Sequence, residues 1–152
     1  MATEEDWASY LAAVVDMSPP DGAPFRVSPV PSDEWGRWPC GPTPLVHVIT
    51  AWNPDSVLLS AIENQSRHDQ LVADLDHQRL DWWPAVGRDP DGHHFEEGVA
   101  VVGLTDAAAV TIGLAYGQAA VFAWSPQEWR VLSCTDERRH SSGWRTGPVP
   151  PG

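Results

Sequence analysis

The residues with the most chemical potential gather around Thr50, Trp52 and Asn53, between an apolar run and a helix-forming segment. Asn53 follows a buried strand and precedes a helix N-terminus, where free backbone N–H groups and the helix dipole favour anions or carbonyls. Its side chain can meet a ligand there or cap the helix. Further on, Val57, Ala61, Asn64, His68, Leu71 and Leu75 form one stripe at about 100° per residue, so two polar groups interrupt an apolar face. A buried Asn that finds no partner costs about 1 to 3 kcal/mol, so Asn64 either ties down a neighbouring backbone or reaches a ligand. Arg67, one turn beyond it, has forked donors suited to a carboxylate or phosphate, and equally suits a pair with Glu63. Glu96 and Glu97 open an apolar strand, and alternation turns one of them inward as a candidate acid, base or Arg67 partner. Gln118, directly after Gly117, can present its amide to the same pocket or close a helix end.

Several chemistries lack support. His93 and His94 with Asp89, Asp91 and Glu96 have the residue types of a metal set, but no HxH or HxxxH spacing occurs, so no metal is expected. All nine basic residues are arginine, which excludes a Schiff-base lysine and the lysine of a phosphate-binding loop. No GxSxG, HExxH, Walker or GxGxxG pattern is present, and no cofactor is expected. Cys40 and Cys134 stand far apart without CxxC spacing and read as reduced thiols. A formal charge of -12 repels phosphate backbones and anionic lipid, so neither a nucleic acid nor a membrane is the expected partner. The acidic opening residues and the lack of a long apolar run point to a cytoplasmic address.

The elements that must position these groups follow from pattern. Residues 4–16 open with acids and carry Trp7, Tyr10, Leu11 and Val14 at helical spacing before Pro19 and Pro20. Residues 24–31 alternate like an edge strand interrupted by prolines, and residues 31–44 read as a loop. The run LVHVITAW at 45–52 fits a central strand, and a long helix is predicted from Ser56 to His77. Residues 79–86 and 97–104 read as strands around a polar loop, followed by a helix capped by Thr105 and ended at Gly117. Residues 119–124 and 129–134 make a final hairpin, while residues 136–152 read as a disordered or loosely docked tail. The expected fold is therefore α+β: a single domain over residues 1–135 built as a ferredoxin-like α/β sandwich with a βαββαβ core. An N-terminal helix and extra edge strands are added to it.

The stretch HVITAWNPDSVLLSAIENQSRHDQLVADL, with the later Gly87 loop, Glu96-Glu97, VVGL and GQAAVF, resembles the bacterial family known as domain of unknown function 3293. The resemblance spans roughly Trp7 to Trp124, and its most specific part is TAWNP with ENQSR about ten residues on. Family-like positions are Thr50, Trp52, Asn53, Pro54, Asn64, Arg67, Leu71, Glu97, Gly117 and Gln118. The resemblance implies a soluble bacterial protein and brings no activity with it.

Two functional expectations follow. In the first, the chain is a binding or interaction module that takes a polar small molecule or a protein partner through Asn53, Asn64, Arg67 and Gln118, walled by Trp52. In the second, it is an enzyme in which Glu96 or Glu97 is the acid/base and Arg67 with the Asn amides orients substrate. Nine tryptophans exceed ordinary use, and those in loops either fill the core or line a groove or interface.

Overall fold

The computed structural model describes residues 3–151. Helix α1 (Glu4–Ala12) begins with a capping box in which Thr3 and Asp6 satisfy each other's backbone N–H groups. Strands β1 (Val14–Met17), β2 (Phe25–Val30) and β3 (Val46–Thr50) follow, then a 3-10 turn at Pro54–Ser56 and helix α2 (Ala61–His77). Strands β4 (Trp82–Arg88) and β5 (Phe95–Val102) lead to helix α3 (Asp106–Ala115), and β6 (Ala120–Ser125), β7 (Glu128–Ser133) and β8 (Arg139–Gly147) complete the chain.

The eight strands close into an antiparallel barrel in the order β1-β2-β8-β7-β6-β3-β5-β4, with β4 returning to β1. This overturns the expected ferredoxin-like α/β sandwich. The order strand, helix, strand, strand, helix, strand does occur from β3 to β6, but its sheet has no open edges. Closure satisfies every edge N–H and C=O that an open sheet would leave unpaired. Within the expected tail, Arg139–Gly147 form strand β8, which pairs with both β2 and β7. Gly143 makes this possible, because residues 32–34 cross β8 so closely that any Cβ there would collide with the Glu34 carbonyl. The backbone N–H groups of Gly143 and Trp144 donate to the carbonyls of Ser32 and Glu34 at 2.8 and 2.9 Å.

Strand alternation separates two cores. Inward-facing Val15, Met17, Val27, Val46, Val48, Ala85 and Ala100 fill the barrel together with Trp124, Trp129 and Trp144. Trp38, from the long loop, inserts beside Trp124 with ring centroids 4.6 Å apart, so one end of the barrel is plugged with indoles. Outward-facing Ile49, Val99, Val101, Val121 and Ala123 pack instead beneath α2 and α3, against Leu71, Leu75 and Ala109. His47 lies fully buried on this outer face, where its Nε2 meets Asp106 Oδ1 at 2.8 Å at the start of α3. Arg130 grips the same carboxylate through Nη1 and Nη2, which fastens α3 to the barrel wall.

Helix α2 starts later than the expected Ser56. Ser60 is its N-cap and closes a capping box with Glu63, while Val57 and Leu58 stay exposed in the preceding extended segment. Of the predicted stripe, Asn64, Leu71 and Leu75 are buried. Among the described residues no helix is long and apolar enough to cross a membrane.

Candidate functional site

The open end of the barrel, opposite the indole plug, holds a cavity of about 330 Å³. Its floor is Val48, Ala85, Gly98, Ala120 and Phe122, all on inward-facing strand positions. Ser9, Tyr10 and Ala13 of the α1 segment cover one side. Asn53, Ser56 and Leu58 form another, and Arg88, Asp89, His94 and Glu96 from the β4–β5 hairpin form a third.

The wall at Asn53–Ser56 is built from strained backbone. Asn53, Asp55 and Ser56 have φ values of 48°, 56° and 60°, a left-handed region that non-glycine residues rarely occupy. Buried polar groups hold this conformation. The Asn53 N–H donates to Asn64 Oδ1 at 2.9 Å, and Asn53 Oδ1 accepts from Asn64 Nδ2 and from the Leu59 N–H, each at 2.9 Å. The Asp55 N–H donates to the Gly117 carbonyl at 2.9 Å. Gly117 itself has φ of 73°, and a Cβ on it would come within 2.7 Å of Pro54 Cβ, so only glycine fits beside the turn.

Arg67 and Gln118 complete the brace. Arg67 Nε donates to the Ala51 carbonyl at 2.7 Å, and its Nη2 donates to the Tyr116 carbonyl. Gln118 Nε2 donates to the carbonyls of Trp52 and Tyr116 at 2.9 and 3.3 Å. The ends of β3 and α3 are thereby tied to α2 by side chains rather than by ladder hydrogen bonds.

From Asn53 a polar chain runs into the cavity. Its Nδ2 donates to Glu96 Oε2 at 3.3 Å, and the same carboxylate oxygen meets His94 Nε2 at 2.9 Å. A carboxylate accepts only, so His94 Nε2 carries a proton and donates it to Glu96. Arg88 donates through Nε to Asp16 Oδ2 at 2.8 Å, and its guanidinium lies 5.4 Å from the Phe95 ring centroid. Burial tends to raise the Asp16 pKa, but the hydrogen bonds and charges of Arg26 and Arg88 outweigh it and hold the carboxyl below its ordinary value. Burial also raises Tyr10 above the ordinary phenol range, which keeps a neutral hydroxyl in the wall.

The sequence-derived candidates divide accordingly. Thr50, Asn53, Glu96 and Gln118 line the cavity. Asn64 does not; it is 2% exposed and spends its amide on Asn53 and the Leu59 carbonyl. Arg67 faces a separate groove on the other side of the Pro54–Ser56 turn, and neither an anion contact nor a pair with Glu63 defines it. Trp52 stacks outside the cavity on Phe95, with centroids 5.5 Å apart, and His68 lies along α2 away from the barrel mouth. Of the two glutamates Glu96 is the inward one. Glu97 lies on the opposite face of β5, and its carbonyl accepts from Thr50 Oγ1 at 2.6 Å. Asn53 is not a helix cap, since its side chain makes no capping bond to the 3-10 turn.

The pattern reading missed Tyr10, Arg88 and Phe122. Only inward alternation of β6 could have indicated Phe122. The sequence presents His94 with His93, Asp89, Asp91 and Glu96 only as the residue types of a metal set; in the fold it pairs with Glu96, while His93 sits exposed in the loop with Nδ1 3.5 Å from Asp91. The stretch that builds the strained turn, its brace and the Glu96–His94 pair is one continuous piece of chain.

A family model described as protein of unknown function (DUF3293) matches residues 49–121. The match is shorter than the Trp7-to-Trp124 resemblance read from the sequence. The DUF3293 segment contains Thr50, Asn53, Arg88, His94, Glu96 and Gln118, while Tyr10, Phe122 and the barrel-closing strands β1, β2, β7 and β8 lie outside it. No curated protein and no solved structure matched the chain.

Proposed function

We propose that the protein is a small-molecule binding module whose ligand enters the open end of the barrel and rests against the Asn53–Glu96–His94 chain. The observation that carries this reading is the cavity itself, walled by a strained turn that four side chains hold open. An eight-stranded barrel has room inside for packed side chains or for one small ligand, and here one half is packed with indoles while the other is hollow. A cavity of about 330 Å³ with an apolar floor and a few polar groups on its walls has the composition of a small-ligand pocket. Backbone strain persists where surrounding contacts over-determine it, and it concentrates at ligand-contacting sites. The charge of -12 argues against a nucleic-acid partner.

A thermal-shift screen of small polar compounds against wild type and Ala120→Phe tests the reading. Phenylalanine at 120 fills the floor of the cavity. Compounds that raise the unfolding temperature of wild type are expected to lose that effect in the variant. Equal stabilisation of both proteins would place binding elsewhere and end this reading.

A catalytic reading has one observation in its favour, the Glu96–His94 pair, in which a carboxylate orients the imidazole of a cavity-lining histidine. In that reading His94→Ala abolishes turnover of a bound compound while leaving its binding in place. Turnover that survives the substitution would remove it.

A further inference from the structure

We infer that the cavity selects a small organic cation, an ammonium or guanidinium on a short apolar body. This rests on the binding role proposed above and names its ligand class. Three side-chain donors at the cavity are engaged: Asn53 Nδ2 by Glu96, Gln118 Nε2 by two carbonyls, and Arg88 Nε by Asp16. Two acceptor atoms beside them are free. Gln118 is 9% exposed, and its amide N–H groups must face the Trp52 and Tyr116 carbonyls. Its Oε1 is thereby the free end, and among the described residues no donor reaches it.

Glu96 adds a second acceptor, because Oε2 receives both His94 and Asn53 while Oε1 has no donor among the described residues. Asp89 and Asp6 stand at the rim, so three carboxylates face the one arginine of the wall, which Asp16 already engages. A carboxylate or phosphate ligand would face three like charges on the wall and rim. An ammonium, with donors only, would satisfy Glu96 and Gln118 together while its carbon chain rests on Val48, Ala85 and Phe122. The acidity of the whole chain steers the same species inward.

The test is an amide chemical-shift titration with four probes of similar size: n-butylammonium, n-butylguanidinium, butyrate and n-butanol. The two cations are expected to shift resonances around Thr50, Glu96 and Gln118, and butyrate and butanol are not. Glu96→Gln should weaken the cations by about tenfold or more, since it removes a charge-assisted bond. Asp89→Asn, a rim change with no described side-chain partner to lose, should weaken them less and flatten their salt dependence. Butyrate or butanol binding in the cavity as tightly as the cations would overturn the cation assignment while upholding the cavity as a ligand site. Cation affinity unchanged in both variants, or no probe binding at all, would overturn it too, and the separate screen on Ala120→Phe then decides whether the cavity binds anything.

Discussion

Gly117 shows how much of the site depends on single residues far from the cavity floor. With φ of 73° and Pro54 Cβ within 2.7 Å of any added Cβ, alanine there must move the strained turn or the end of α3. Gly117→Ala is expected to lower the unfolding free energy by about 1 to 3 kcal/mol in a denaturant titration. A change below about 0.5 kcal/mol would mean that the turn is not pinned at this point. Titration offers a second check at the same scale. The Arg130 bond, with help from His47, brings the Asp106 pKa down from 3.8 to about 2, against the opposing effect of burial. Its contribution to stability is thus full above the ordinary carboxylate value and lost as pH falls through the folded one. His47 moves down from 6.5 because burial outweighs the bond to Asp106, so the unfolded chain binds a proton that the folded one refuses. Stability should therefore begin to fall as pH drops below 6.5. His47→Gln should remove this part of the slope and leave the share of the Asp106 part that Arg130 holds, and an unchanged profile would contradict the assignment. That Asn64 needed partners was legible in the sequence, since a polar group on an apolar stripe must be satisfied. That its partner would be Asn53 was not, because Asn-Pro-Asp-Ser suits a helix cap as well as the left-handed turn that brings them together.

Among the elements, β8 bears most on the barrel. It carries Trp144, 1% exposed, into the indole plug and closes the gap between β2 and β7. A chain ending at Asp136 should lose its cooperative unfolding transition and expose its remaining interior tryptophans, read by fluorescence and near-ultraviolet circular dichroism. A sharp transition in the truncated chain would show that closure is dispensable. The sequence RHSSGWRTG hides this strand, because only its Gly143 and Trp144 are buried and the rest is polar. Periodicity needs a continuous apolar face, and a strand that buries little reads as tail. Elsewhere the local signals served better. The β-branched run at β3, the Thr105 cap of α3 and the β6–β7 hairpin stand where apolar runs and turn residues put them. Helix α2 was placed too early because Asn53-Pro54-Asp55-Ser56 resembles a cap, whereas Ser60 with Glu63 forms the capping box.

For the molecule as a whole, barrel closure rests on pairings between segments distant in sequence, such as β1 with β4 and β2 with β8, and no local pattern encodes which edge meets which. The same pairings create the cavity, by bringing Tyr10 and Ala13 from the N-terminus over a mouth that the DUF3293 segment otherwise builds. Composition did foreshadow the result in one respect: nine tryptophans in a small chain need an interior that can take bulky rings, and half the barrel is that interior. The other half is the cavity, with Glu96, Asp89 and Asp6 among its lining residues. A crystal or solution structure of the wild-type protein saturated with n-butylammonium would test this division most directly. The expected result is the ammonium nitrogen within hydrogen-bond reach of Glu96 and Gln118, with the alkyl chain on Phe122 and the indole plug unchanged. A cavity that stays unoccupied at saturation, or a cation seated on the outer faces of α2 and α3, would contradict it.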